Sequence, residues 1–496
     1  MAIKRNIAAN FLGQGWTALM GFAFIPLYVR CLGVESYGLI GLFALVQAWL
    51  VLLDFGMTPT LNREMARYTA GHKDIQAIHD LLRSLELVVV ALGAVIAIGL
   101  WLSAGWLAEN WIQTVALPSS LVAEALSIMA LVVALRFGEG LYHGALYGLQ
   151  LQAWYSGASA LIATIRGLGA VALLAFGSPT ISAFFFWQLL VSLTSLLLYR
   201  WKVHAYLGAP TQSAQFSSKA LVRIWRFAGG MTGIAMLSVL LTQVDKVMLS
   251  KMITLEAFAY YSLAATLAAA LSMLVIPVDN AVYPQMVKLV ELEAQSALID
   301  LYHKSAQLVS ILTVPVMLLC VFMSEGILYM WTGDHKLAAS ASPLLSVLAL
   351  GTFLNCLMHI PYQLQIANGL TKIAIWVNGF ALLFFIPALW WSIPKFGPIA
   401  AACAWVGLNT MYVLVVIHLT HRTLLQKEKL RWYIDDVLLP VAAGSAAFLL
   451  VQLMQPSTGD GRLHWLVFLA VAGMVTALAA AGAAPHGRAF LRRGFF

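Results

Sequence analysis

Apolar runs of about twenty residues, separated by short charged clusters or by Pro and Gly, recur along the whole chain. As a helix, each is long enough to cross a hydrocarbon core of roughly 30 Å. The pattern predicts helical spans near 8–30, 37–60, 84–108, 120–147, 152–176 and 180–199, then a polar linker over 201–223. Six more follow near 224–250, 257–284, 302–323, 341–366, 372–392 and 397–419, and a last pair near 433–454 and 463–484. The count is fourteen. Twelve is the nearest alternative, because the joint at Gly177–Thr180 between the fifth and sixth spans is very short. The expected organisation is an N-terminal six-helix lobe over 1–200, a cytoplasmic linker over 201–223 and a C-terminal six-helix lobe over 224–420. An additional helix pair with a basic tail occupies 421–496.

Composition agrees with an all-α polytopic membrane protein. Of 496 residues, 61% are apolar and 10% charged, against roughly 25% charged in soluble domains. That excludes a soluble globular protein. The formal charge of +8 admits nucleic acid, anionic lipid or an acidic substrate as its cause, and placement decides among them. With the N-terminus in the cytoplasm, 21 of the 29 Lys and Arg residues fall on the cytoplasmic side, five on the other and three inside spans. Both termini are therefore expected in the cytoplasm, and the basic excess reads as a topology signal facing anionic lipid, with no nucleic-acid partner. Cys31, Cys320, Cys356 and Cys403 lie far apart without a CxxC pair, so neither a disulfide framework nor a metal site is expected. The first residues lead directly into a hydrophobic span without a small-residue cleavage pattern, which reads as a retained first helix.

The two six-span blocks are weakly self-similar. DFGMTP at 54–59 matches DNAVYP at 279–284, and Phe137, Glu139 and His143 recur at one offset of 216 residues as Phe353, Asn355 and His359. RG at Arg166 matches NG at Asn378. Both blocks contain six spans and so start on the same side, giving parallel repeats with a cleft between lobes and an alternating-access transporter.

Charges at bilayer depth cost several kcal/mol, about 2.5 upward, so those retained should face protein or a wet cavity. Arg136, Glu139 and His143 fall at i, i+3 and i+7 on the fourth span, on one face with Tyr147. They read either as a self-satisfied Arg136–Glu139 pair or as a cavity face where Arg136 meets an anion and Glu139 or His143 carries a proton. Arg166, in the middle of the fifth span, lacks a carboxylate at helical spacing and needs a partner elsewhere, Glu139 or Asp54. A planar guanidinium also suits bidentate contact with phosphate. Asp245 and the adjacent Lys246 point to different faces. Asp54 and Asp279 stand near span ends, as helix caps or as cavity carboxylates. Asn355, His359 and Gln363 repeat every four residues as a polar stripe, for helix packing or for the cavity.

No GxxxxGK[ST] phosphate loop, HExxH, GxSxG or Cys/His constellation occurs, so energy should come from gradients, and no cofactor beyond a coupling H+ or Na+ is expected. The longest expected outer loop, near 324–340, is short, which disfavours a polymerase or glycosyltransferase.

The opening NFLGQGWTALMGFAFIPLYVRCLGVESYGLIGLFALVQAWLVLLDFGM with NREMARY, and QVDKVMLSKMITLEAFAYYSLA at the start of the second block, resemble the polysaccharide-exporter branch of the MOP (MATE-like) superfamily, the Wzx-type O-antigen flippases. The resemblance covers roughly 5–420 and is specific in these two stretches. It implies two six-helix lobes in a bacterial inner membrane and transfer of undecaprenyl-diphosphate-linked oligosaccharide from the cytoplasmic to the outer leaflet. Polysaccharide polymerase and chain-length proteins would be the partners. Twelve spans are usual in that branch, so the added pair departs from it; the related lipid II flippase has fourteen. Under this reading Arg136, Arg166 and Lys246 would bind the diphosphate, and Glu139, His143 or Asp245 would couple to the ion, with Asp54, Asp279, Asn355 and His359 as further cavity groups. The alternatives are a MATE-type multidrug or cation antiporter, which would favour an acidic cavity, and a membrane polysaccharide polymerase or ligase.

Overall fold

The computed structural model describes residues 2–71, 74–210, 212–216, 218–456 and 461–488; the side chains of 2–11, 218–232, 234–235 and 371 are not described. The basic tail from 489 onward and parts of the expected linker, 211 and 217, lie outside the described residues. The described residues are helical, without a β-strand, and form two compact units, Met1–Ala259 and Tyr260–Phe496.

The first unit contains α1 (Ala2–Ala23), α2 (Ile25–Leu32), α3 (Val34–Leu53), α4 (Met57–Thr69), α5 (Ile75–Asn110), α6 (Ser119–Gly148), α7 (Gln152–Phe176), α8 (Ile181–Leu207), α9 (Ser218–Met252) and the start of α10 (Leu255–Glu291). The first expected span is broken at Phe24, where Pro26 sits in the opening turn of α2, a position at which its missing N–H costs nothing. The second expected span, 37–60, ends early at Leu53. Phe55 and Gly56 both adopt positive φ, 44° and 75°, reversing the chain into the amphipathic α4. Gly56 carries the left-handed backbone without a Cβ penalty. α4 buries Met57, Leu61 and Met65 against α5, α6 and α8, beside Leu82, Leu85, Leu146 and Val203.

α5 starts nine residues before the expected span, and α8 continues to Leu207, past 199 into the expected linker. Both extensions carry polar residues that hydropathy reads as loop but the backbone bonds as helix. Large apolar side chains that protein leaves uncovered, such as Val95, Leu102, Phe384 and Trp390, are those a bilayer covers.

The second unit completes α10 and adds α11 (Gln295–Phe322), α12 (Ser324–Thr332), α13 (His335–Leu357), α14 (His359–Ala367), α15 (Thr371–Phe396), α16 (Pro398–Met411), α17 (Ile417–Thr423), α18 (Lys429–Arg431), α19 (Leu439–Gln452) and α20 (Arg462–Ala483). π-Helical turns occupy Tyr412–Val416 and Trp432–Leu438. The expected outer loop near 324–340 instead holds α12, and Asp334 starts α13 by accepting from the Leu337 N–H at 3.1 Å. The stripe of Asn355, His359 and Gln363 is not on one straight helix, because the chain breaks at Met358 between α13 and α14.

Among the described residues thirteen helices are long and apolar enough to span a bilayer. The seventh expected span, 224–250, falls on α9, many of whose side chains lie outside the described residues; it is not among the thirteen.

Candidate functional site

Three helices of the first unit, α6, α7 and α8, bring polar side chains together at mid-span, with α3 closing one end. Arg136 donates from Nη1 to Gln47 Oε1 at 2.8 Å and from Nη2 to Gln188 Oε1 at 3.2 Å. Its guanidinium lies over the Phe43 ring, 4.9 Å from the centroid, a favourable cation–π contact in a desolvated setting. Arg136 therefore does not form the i,i+3 pair with Glu139 that spacing alone allows. Glu139 instead accepts from the Ser195 hydroxyl and faces Arg166, whose Nη2 is 3.9 Å from its Oε1. Both partners are largely buried, with side chains 21% and 18% exposed.

Aromatic rings pack closely on the backbone just after Arg166. A Cβ at Gly167 would lie 2.0 Å from the Phe24 ring, and one at Gly169 2.0 Å from the Trp187 indole. Only bare backbone allows these rings to approach so closely. Trp187 then donates from Nε1 to the Arg166 carbonyl at 3.2 Å.

The Nε atoms of both Arg136 and Arg166 are buried and find no hydrogen-bond partner among the described residues. Buried N–H groups normally are paired, since leaving one unmade costs about 1–3 kcal/mol. One carboxylate thus pairs with Arg166, Arg136 is met only by neutral amide oxygens, and both guanidiniums keep an unused donor. The arrangement has room in its charge balance for an added anion with several acceptor oxygens, which planar guanidinium forks bind well.

Toward the ends of α6 and α7, the polar track continues. His143 packs edge-on to Tyr147, with centroids 4.5 Å apart, and against Tyr155 at 4.8 Å. Tyr199 shares a hydrogen bond with Ser159 at 3.0 Å and contacts Tyr155 at 5.3 Å.

The remaining sequence candidates lie elsewhere. Asp54 serves the start of α4, accepting from the Thr58 N–H at 3.1 Å and the Thr58 hydroxyl at 2.6 Å. Burial raises its carboxyl above the ordinary range, against these bonds and one from the Gly56 backbone. Lys246 donates to Gln243 on its own helix at 3.2 Å and is not brought to the two arginines; Asp245, its neighbour, is buried. In the second unit, Asp279 pairs with His359 at 2.6 Å, and Asn355 donates to Asn409 Oδ1 at 2.8 Å.

Sequence reasoning missed Gln47, Gln188, Ser195 and the Ser159–Tyr199 pair, which are uncharged and carry no intramembrane cost signal of their own. It also missed Glu86, buried under Tyr142, His204 and Arg200 at 2.6, 3.0 and 3.7 Å. Its signal is a carboxylate just inside the apolar run of the third span.

The first unit also holds an apolar cavity of about 220 Å³, lined by Leu42, Leu45, Trp49, Leu107 and Met129 among others. It presents no charged side chain and is not the place for an anion.

The model of the polysaccharide biosynthesis protein family matches residues 3–290. A protein of Shigella flexneri named "Putative O-antigen transporter" is 23% identical over 409 residues, 82% of this chain and 94% of its own. The succinoglycan biosynthesis transport protein ExoT of Rhizobium meliloti (strain 1021) is 25% identical over 430 residues, 84% of this chain and 77% of its own. Among solved structures, the lipid II flippase MurJ in an inward closed conformation superposes with a TM-score of 0.71 at 14% identity, covering 96% of this chain and 98% of MurJ. An inward-facing MATE multidrug transporter of the MOP superfamily gives 0.66 at 13% identity, over 83% and 96% of the two chains.

Proposed function

Because the chain belongs to the polysaccharide biosynthesis protein family, we propose that it is a flippase for a lipid-linked saccharide, moving an undecaprenyl-diphosphate-linked repeat unit of O-antigen or another surface polysaccharide from the cytoplasmic to the outer leaflet. It is a multi-pass membrane transporter, not an enzyme, with the fold of the MOP superfamily. The bacterial inner membrane as its location and cytoplasmic termini belong to the same proposal.

The observation that carries this reading is the pair of largely buried guanidiniums, Arg166 paired with Glu139 and Arg136 held only by neutral amide oxygens, while both Nε–H groups go unused. A diphosphate cannot cross hydrocarbon unaided, because ionised groups lose their hydration there at a cost of many kcal/mol. Fixed guanidinium donors replace part of that hydration. The incoming phosphate competes with Glu139 for Arg166, so capture breaks the resting ion pair and release restores it. That exchange gives the site two electrostatic states, as alternating access requires. A coupling H+ or Na+ would act at Glu139, His143 or Asp245, and polymerase and chain-length proteins would take over the delivered unit. A cation exporter would need a site of the opposite sign, whereas two arginines outnumber the one carboxylate here.

The test is mass spectrometry of undecaprenyl-linked glycans, with the leaflet assigned by an impermeant probe, in cells carrying wild type, Arg136→Ala or Arg166→Ala. Complete units should accumulate on the cytoplasmic leaflet in both mutants while the protein remains in the membrane. Normal outer-leaflet delivery from both would overturn the assignment.

A further inference from the structure

A second buried ionic cluster lies in the second unit, remote in sequence from the arginine site and unused by it. His303 on α11 is completely buried, and each of its ring nitrogens meets a carboxylate: Nδ1 is 2.5 Å from Asp436 Oδ2 and Nε2 is 3.0 Å from Glu428 Oε2. Asp436 is also fully buried and takes a second bond from Gln307 Nε2 at 2.9 Å. Gln307 is held in turn, its Oε1 accepting from the His486 N–H at 2.8 Å. Glu428 differs, being 20% exposed at the rim beside the half-exposed Arg431 at 3.5 Å.

Carboxylates accept and do not donate. Two hydrogen bonds across three groups therefore need two protons, one more than a neutral imidazole flanked by two ionised carboxylates would hold. Asp436 reaches His303 from the π-helical turn Trp432–Leu438, a local widening of the helix that recurs at functional positions.

We propose that Glu428, His303 and Asp436 form a proton-binding site in which the imidazole relays a proton from the rim carboxylate to the sealed one. The transfer balances. A proton on Glu428 Oε2 passes to Nε2 while the Nδ1 proton passes to Asp436 Oδ2; one N–H bond forms as the other breaks, and total charge is unchanged. An imidazole is suited to this because its two nitrogens accept and donate at once.

The other titratable or charged groups around His303 are few. Tyr302 stacks edge-on to it at 5.3 Å and bonds His421 on α17 at 3.3 Å. Lys429 and Tyr433 lie on the flanking helix, their cation–π contact at 6.0 Å, and Arg431 also faces Asp435 at 3.8 Å. His486 faces the exposed Asp300 at 3.8 Å. The ring nitrogens of His303 bond Asp436 and Glu428, so the relay runs through the two carboxylates. The use of this proton in export rests on the flippase reading; the site itself does not.

The test uses full-length [15N]histidine-labelled protein in nanodiscs, with the His303 ring assigned by its loss in His303→Gln and protonated carboxyls read by infrared difference spectra. At neutral pH the extra proton should appear either as a second ring N–H on His303 or as a protonated carboxyl, and Asp436→Asn should remove it. Glu428→Gln should slow exchange of the ring protons with solvent. A His303 ring with one proton and no carboxyl band that Asp436→Asn removes would overturn the proposal. Arg136→Ala and Arg166→Ala should leave these signals intact, so failure of the transport reading stays separate from failure of the proton site.

Discussion

Replacing Glu139 by Gln should move stability and anion binding in opposite directions. The carboxylate stands 3.9 Å from Arg166, where unit charges attract by about 4 kcal/mol at an effective dielectric near 20. Holding both groups out of water offsets most of that, leaving a net worth of about 1–2 kcal/mol for a mostly buried pair without ideal geometry. The amide keeps an oxygen for the Ser195 hydroxyl, so the change is mainly electrostatic. Without Glu139, Arg136 and Arg166 face each other uncompensated, and the ligand-free protein should unfold at lower temperature in detergent. A bound diphosphate no longer has to displace the carboxylate, so its affinity should rise by up to the same 1–2 kcal/mol, about 5- to 30-fold. The assay is thermal denaturation and direct binding of undecaprenyl diphosphate to wild type, Glu139→Gln, Arg166→Gln and the double variant. Arg166→Gln should weaken binding, and the double variant should recover part of the lost stability. If Glu139→Gln weakens binding as Arg166→Gln does, the carboxylate is not a competitor and the displacement mechanism is wrong.

Three other outcomes are expected. Asp54→Ala should cost about 1 kcal/mol as a lost helix-start acceptor, measured by thermal shift. Asp54→Asn keeps the acceptor and removes a carboxyl whose value burial raises; such a group weakens the fold once ionised and ceases to do so as pH falls through its raised folded value, so the stability profile of Asp54→Asn should be flatter in the range just above ordinary carboxylate titration. Gly169→Ala places a Cβ 2.0 Å from Trp187 and should cost about 1–3 kcal/mol by overpacking while reducing diphosphate binding; Gly157→Ala on the same helix, with nothing within 4 Å, should be neutral or slightly stabilising. For topology, an impermeant maleimide should label a cysteine placed at Ala116 in intact spheroplasts and one placed at Glu293 only after permeabilisation, in a cysteine-free background; the reverse pattern would invert the orientation.

The spans were legible because hydrocarbon thickness imposes a length on every apolar run. Their ends were not, because hydropathy measures composition while helices end where backbone bonding ends. α5 begins at Ile75 although His79, Asp80, Arg83 and Glu86 occupy its first turns, and α3 stops at a Phe55–Gly56 reversal whose cue was a glycine behind an aspartate. The charges that lie inside spans were also legible, through their cost. Their partners were not. Arg136 and Glu139 have pairing distance at i,i+3, but the cation precedes the carboxylate, the less favourable order along a helix, and the acceptors Arg136 takes stand 89 and 52 residues away. Only the fold brings Gln47 and Gln188 to it.

The positions matched at one sequence offset show what the two halves share and where they part. Glu139 and His143 correspond to Asn355 and His359, and Arg166 corresponds to Asn378. In the second unit those places hold a neutral amide pair, Asn355–Asn409, an aspartate–histidine pair, and an asparagine that accepts from the Tyr412 hydroxyl at 2.9 Å. All keep hydrogen-bonding side chains, as packing inside a membrane demands, yet only the first unit places a guanidinium there. Structural need alone is met by amides, which cost far less to bury than an under-paired arginine. An anionic ligand would offset the retained cost of Arg136 and Arg166, and under the proposed function that asymmetry would place the headgroup in the first unit.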